Sequence, residues 1–211
     1  MPDLTTARQR MIYSQLRARG ISDARVLEAM LRVPRHEFVP ESYQAQAYED
    51  HPLPIGNDQT ISQPYIVALM LESLQVKPSD KVLEVGTGSG YATALLAELA
   101  AQVFSIERHA ALAENARKVL AGLGYSNVEV LTGDGTLGFP NAAPFDAILV
   151  SAAAPELPAA LLAQLREGGR MIIPVGRDDS QQLQVVRVIN GQPVVAPREL
   201  VRFVPLVRED Q

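Results

Sequence analysis

Val82-Leu83-Glu84-Val85-Gly86-Thr87-Gly88-Ser89-Gly90 decides how this chain folds. An apolar run of strand length meets three alternating glycines, and a helical pattern follows from Tyr91. Glycines bend the backbone sharply and leave no Cβ between the chain and a ligand. The first turn of the following helix then offers free N–H groups beside that ligand. The stretch therefore predicts a strand, a turn that holds a nucleotide-like cofactor, and a helix.

Outward from this turn the pattern alternates. Strands are expected at 81–85, 102–106, 128–132, 145–150 and 170–174, with helices at 91–100, 109–122 and 158–166. Near-continuous apolar strands that alternate with helices predict a mostly parallel α/β sheet with helices on both faces. Toward the C-terminus, Leu183–Ile189 and Leu200–Leu206 read as strands joined by a turn at Asn190-Gly191, an antiparallel C-terminal hairpin. Residues 1–76 read as a helical N-terminal extension, with Thr5 or Thr6 capping the first helix and Ser22 or Asp23 the second. The proline-rich run Pro34–Gly56 suggests a lid with Gly56 as hinge. The whole is expected to form one domain, residues 77–211 being its cofactor-binding core.

Composition removes several classes of function. The chain has 211 residues and no cysteine, which excludes a disulfide framework, a Cys-ligated zinc and a thiol nucleophile. A net charge of −5 argues against a nucleic-acid substrate. No apolar run nears the ~20 residues of a membrane span, and the N-terminus lacks a secretory h-region. A cytoplasmic monomer is expected. His36, His51 and His109 are scattered, read as structural, and suggest no metal site.

Which cofactor the turn holds depends on the acids that follow it. A dinucleotide turn prefers G-x-G-x-x-G, but here the glycines fall at 86, 88 and 90 and Tyr91 takes the last position. Glu107, beside Arg108 at the end of the second strand, is placed to accept both ribose hydroxyls. Asp134, between Gly133 and Gly135, follows the third strand and is placed to meet an adenine amine, though the same triplet can be only a tight turn. Turn, ribose acid and base-edge acid in this order look like the class I methyltransferase fold with S-adenosylmethionine. Glu84 opens the turn and is expected near the cofactor's methionine end; its other role is bonding turn N–H groups.

The fold does not name the acceptor. Ser151-Ala152-Ala153-Ala154-Pro155 follows the fourth strand and lacks both the aromatic platform of base methylation and the acid cluster of catechol methylation. A carboxylate acceptor is ionised at pH 7 and needs no general base, only alignment. A loop suited to that lies upstream, at Gln59-Thr60-Ile61-Ser62-Gln63-Pro64. Ser62 either caps the helix that begins there or serves a substrate; spacing alone leaves both open.

That loop resembles the signature of the protein-L-isoaspartate (D-aspartate) O-methyltransferase family. So do Val33-Pro34-Arg35-His36-Glu37-Phe38-Val39-Pro40, Ala47-Tyr48-Glu49-Asp50, the glycine turn, Gly133-Asp134-Gly135 and Arg202-Phe203-Val204-Pro205-Leu206. The resemblance implies methyl transfer from S-adenosylmethionine, leaving S-adenosylhomocysteine, to the free α-carboxylate of L-isoaspartyl residues in damaged proteins and peptides. It implies Ser62 as the active-site hydroxyl and Thr60 and Ile61 at the cofactor's border. Gly86, Gly88 and Ser89 would cradle the methionine end, Glu107 would take the ribose and Asp134 with Gly135 the adenine, and Arg108 is also expected at the cofactor. Ile61, Ser62, Val204, Pro205 and Leu206 would line the peptide cleft. The alternatives are another S-adenosylmethionine-dependent methyltransferase, a nucleotide-dependent reductase, or a cofactor-binding module without turnover.

Overall fold

The computed structural model describes residues 3–177 and 180–208. Its first helix, α1 (Leu4–Arg10), is capped by Asp3, whose carboxylate accepts the N–H groups of Thr5 and Thr6. The cap is thus Asp3, two residues before the first of the expected threonines. The helix widens to a π-helical stretch at Met11–Leu16 and ends at Gly20, whose φ of 94° stops it in left-handed geometry. Asp23 caps α2 (Ala24–Arg32) through the N–H of Arg25, as expected.

Pro34–Gly56 is not a loose run. It forms 3₁₀ turns at Arg35–Phe38 and Glu41–Gln46, and its Phe38, Val39, Ala47, Tyr48 and Leu53 are buried. The element that overhangs the glycine turn is a small hairpin of β1 (Leu53–Gly56) and β2 (Gln59–Ile61). Asn57 and Asp58 form its bend with φ of 53° and 56°, the left-handed pair of a type I′ turn. Helix α3 (Pro64–Leu74) follows directly.

The main sheet uses β3 (Lys81–Val85), β4 (Gln102–Glu107), β5 (Val128–Thr132), β6 (Phe145–Val150), β7 (Leu165–Arg177), β8 (Ser180–Ile189) and β9 (Gln192–Val201). Its order is β5-β4-β3-β6-β7-β8-β9. Strands β3 to β7 pair in parallel, and β8 and β9 pair antiparallel. The chain runs outward from β3 through β4 to β5, then returns to β6 on the other side. That reversal opens a crevice at the carboxyl end of β3, where ligands bind in such sheets.

Alternation along β3 assigns its two faces. Val82 belongs to one buried cluster and Leu83 and Val85 to the other. The first cluster joins α4 (Tyr91–Leu99), α5 (Ala110–Gly122) and α3 to the N-terminal helices. The second is covered more thinly, by α6 (Ala159–Leu162) and the segment containing Phe139. Helix α6 is shorter than the expected 158–166, because β7 already begins at Leu165.

The C-terminal hairpin exists with its turn at Asn190-Gly191, but its second strand is Gln192–Val201, not Leu200–Leu206. Among the described residues beyond Val201 the chain leaves the sheet, and only Pro205 bridges, to Ala153. A buried pair locks the base of the sheet: Arg170 binds the Asp80 carboxylate and donates to the carbonyls of Leu74 and Gln75. No helix of the described residues is long and apolar enough to cross a membrane.

Candidate active site

A cleft of about 480 Å³ opens at the crevice. Its walls include Thr60, Ile61 and Ser62 from the hairpin strand and its exit, Gly86 to Ser89 from the turn, and Glu107 and Arg108 from β4. Gly135, Ser151 and the tail residues Val204, Pro205 and Leu206 also line it. The volume lies within the ~300–1,000 Å³ usual for small-molecule sites.

The turn is shaped by the glycines' left-handed backbone, with φ of 92°, 54° and 89° at Gly86, Gly88 and Gly90. A side chain at Gly88 would also press within 3.3 Å of Ile55 on the overhanging hairpin. Glu107 sits beneath this turn, nearly buried rather than a solvated strand-end charge. Its Oε2 accepts the Gly88 N–H at 2.8 Å and its Oε1 the His109 N–H at 2.9 Å. One bond per oxygen leaves each with acceptor capacity toward the cleft.

Glu84 departs from expectation. It shares the face of Val82 and points under α4, so it is absent from the cleft wall. Its carboxylate accepts from Ser105 Oγ at 2.6 Å and from Thr93 Oγ1. No N–H of the turn bonds it, and its Oε1 has no hydrogen-bond partner. Burial pushes its pKa up to about 7, against the pull of the two hydroxyls. Ser105 also shares a hydrogen bond with the Thr87 hydroxyl, which links Glu84 to the turn indirectly.

Asp134 is half-buried and accepts the Thr136 N–H at 2.8 Å, opening the 3₁₀ turn Gly135–Leu137. It is not itself on the cleft wall, whereas Gly135 is. A Cβ on Gly135 would stand 2.5 Å from Val85 Cγ1, so only glycine lets this loop close on β3.

Ser62 is half-buried at the junction of β2 and α3, and helix α3 has Gln63 at its cap position with no side-chain cap bond. The helix therefore does not use the Ser62 hydroxyl. Across the cleft, the tail is pinned on two sides. Ala153 donates to Val204 O and accepts from Leu206 N, each at 2.8 Å. The Gln181 side chain accepts the Phe203 N–H at 2.6 Å and donates to Phe203 O at 3.0 Å.

Reading the sequence alone did not single out Thr87, Tyr91, Asn57, Asp58 and Ser151 as wall residues, and it read His109 as structural; the residue lines the cleft. Thr87 and Tyr91 flank recognised glycines and were within reach of the motif. The Asn57-Asp58 bend carries a hairpin signal. Of the other histidines, His36 pairs with the Tyr48 hydroxyl at 2.8 Å, and His51 with Glu49 at the surface.

The family model and the curated relatives point to one family. The family model described as protein-L-isoaspartate(D-aspartate) O-methyltransferase matches residues 7–211. A protein-L-isoaspartate O-methyltransferase of Koribacter versatilis is 59% identical over 209 residues, covering 98% of this chain and 94% of its own. One from Marinobacter nauticus is 56% identical over 210 residues, with 99% and 96% covered. A solved protein-L-isoaspartate O-methyltransferase superposes with a TM-score of 0.86 at 31% identity, over 94% of this chain and 65% of that one. A Plasmodium falciparum chain assigned to the same activity, in complex with S-adenosyl-L-homocysteine, gives 0.82 at 28% identity, over 98% and 99%. This chain belongs to the protein-L-isoaspartate (D-aspartate) O-methyltransferase family.

Proposed function

We propose that the chain transfers a methyl group from S-adenosylmethionine to the free α-carboxylate of L-isoaspartyl residues in damaged proteins and peptides. One observation carries the site assignment: a serine that its helix does not use shares a cleft with the glycine turn and Glu107. The turn at Gly86, Gly88 and Ser89 receives the methionine end, with Thr60 and Ile61 along its border. Glu107 takes the ribose hydroxyls beside Arg108, and Gly135 with Asp134 borders the adenine. Ser62 donates a hydrogen bond to the acceptor carboxylate. Ile61 and the Val204-Pro205-Leu206 segment hold the peptide, its backbone lying along the tail in strand fashion.

The chemistry asks little of acids and bases. The acceptor is already anionic at neutral pH. Its oxygen attacks the sulfonium methyl, the carbon–sulfur bond breaks, and neutral S-adenosylhomocysteine leaves with no proton moved. Aligning oxygen, methyl and sulfur is the enzyme's contribution, and such alignment supplies ~7–11 kcal/mol. The ester then closes to a succinimide, releasing methanol, and hydrolysis returns part of it to L-aspartate. We read the enzyme as a cytoplasmic monomer with neither nucleic-acid nor membrane partners.

Incubating an isoaspartyl peptide with enzyme and S-adenosylmethionine should yield the matching L-aspartyl peptide over successive cycles, resolved by chromatography. Unchanged isoaspartyl peptide after many enzyme equivalents of cofactor would reject the repair reading.

A further inference from the structure

Arg35 lies in the Val33–Pro40 motif, to which the mechanism above gives no task. Its side chain is wholly buried, an unusual place for a cation. Two of its nitrogens are bonded to backbone carbonyls, and Nη1 is buried with no hydrogen-bond partner. Nε donates to Ala47 O at 2.7 Å and Nη2 to Ser62 O at 2.8 Å. Its carbon lies 4.9 Å from the ring centroid of Tyr91, the residue that follows Gly90 and begins α4. Asp50 acts on it only through space and is itself bonded to Arg19. Burial lowers its pKa to about 10, so it stays charged at neutral pH.

One buried group thus touches both walls of the cleft. Ser62 belongs to neither β2 nor α3, so its peptide unit lacks the hydrogen-bond ladder that fixes its neighbours. The bond from Arg35 replaces that ladder. The contact with Tyr91 refers the same group to the helix behind the glycine turn. Ala47, in the second motif, supplies the third point of a rigid tripod.

We propose that Arg35 is a positioning residue for methyl transfer, fixing the Ser62 backbone relative to the helix that carries the glycine turn. This rests on the assignment of Ser62 as the acceptor-binding hydroxyl. Lysine cannot replace it, because an ammonium on a flexible stem does not reproduce a planar fork that serves two carbonyls. Displacement of a reacting group by an ångström costs on the order of 100-fold in rate.

Arg35→Lys tests this, with Asp80→Asn as a control that loosens the fold remote from the cleft. Arg35→Lys should lower kcat on an isoaspartyl peptide about 10- to 100-fold, with the dissociation constant for S-adenosylhomocysteine within about threefold of wild type. Asp80→Asn should keep kcat at a temperature where both variants are folded. Amide hydrogen exchange read without substrate should be faster in Arg35→Lys at residues 59–65 and unchanged in β3. Unchanged exchange at 59–65, or kcat and cofactor affinity falling in parallel, overturns the proposal. A wild-type protein inactive on the isoaspartyl peptide contradicts the substrate assignment alone, and the exchange readout still decides the role of Arg35.

Discussion

Glu107 accepts the backbone N–H of Gly88 at 2.8 Å, so the acid that ends β4 and the turn that follows β3 form one rigid unit. The carboxylate both shapes the turn and faces the cleft. Replacing Glu107 with Gln removes its charge and turns an amide nitrogen toward one of the two N–H donors. Affinity for S-adenosylhomocysteine should fall by at least about tenfold, equivalent to ~1.4 kcal/mol. Titration calorimetry measures it, and an unchanged dissociation constant would remove Glu107 from the cofactor site.

Gly135→Ala should destabilise the protein by about 1–3 kcal/mol, because its methyl would meet Val85 Cγ1 at 2.5 Å. Valine is branched at Cβ and cannot swing away easily. Adding Val85→Ala should recover part of the loss. Denaturant melts of the single and double variants give the answer, and a silent Gly135→Ala would show that the loop moves freely off β3.

Glu84 makes stability depend on pH in an unusual direction. Below its ordinary pKa of 4.5 both folded and unfolded chains hold its proton, whereas between 4.5 and about 7 only the folded chain does. Stability from this group therefore falls as pH rises through that window. Glu84→Gln is uncharged throughout, so its stability relative to wild type should improve from pH 5 to pH 8, by on the order of a few kcal/mol. A difference that does not vary with pH would show that Glu84 is ionised in the fold at all these pH values.

Asp80→Asn leaves Arg170 buried without its charge partner and should cost about 3 kcal/mol of unfolding free energy. The pair lies at the amino end of β3, opposite the cleft. Affinity for S-adenosylhomocysteine, measured on the folded variant, should be unchanged. Loss of cofactor binding in a folded variant would show coupling along the strand that the packing does not suggest.

Local chemistry made much of this molecule legible in the sequence. The glycine turn, Glu107 and the parallel strands announce themselves through residue type and spacing. Glu84 was misplaced although period two already put it on the face of Val82. Strand β9 escaped because it is exposed along nearly all its length, shows no alternation, and its short apolar run Val194-Val195-Ala196 is bracketed by Pro193 and Pro197. The overhanging hairpin was hidden by its proline-rich approach. Whether Ser62 caps α3 depends on one turn's geometry, which residue types do not encode. Arg35 was invisible for a different reason: its partners are carbonyls 12 and 27 residues away, and carbonyls carry no sequence signal.

The central claim is tested most directly by transfer of labelled methyl from S-adenosylmethionine to two peptides that differ only in one linkage. Wild-type enzyme should label the L-isoaspartyl peptide and leave the L-aspartyl peptide at background. Ser62→Ala should lose turnover on the first while keeping cofactor affinity. Equal labelling of the two peptides, or none of either, would contradict the account.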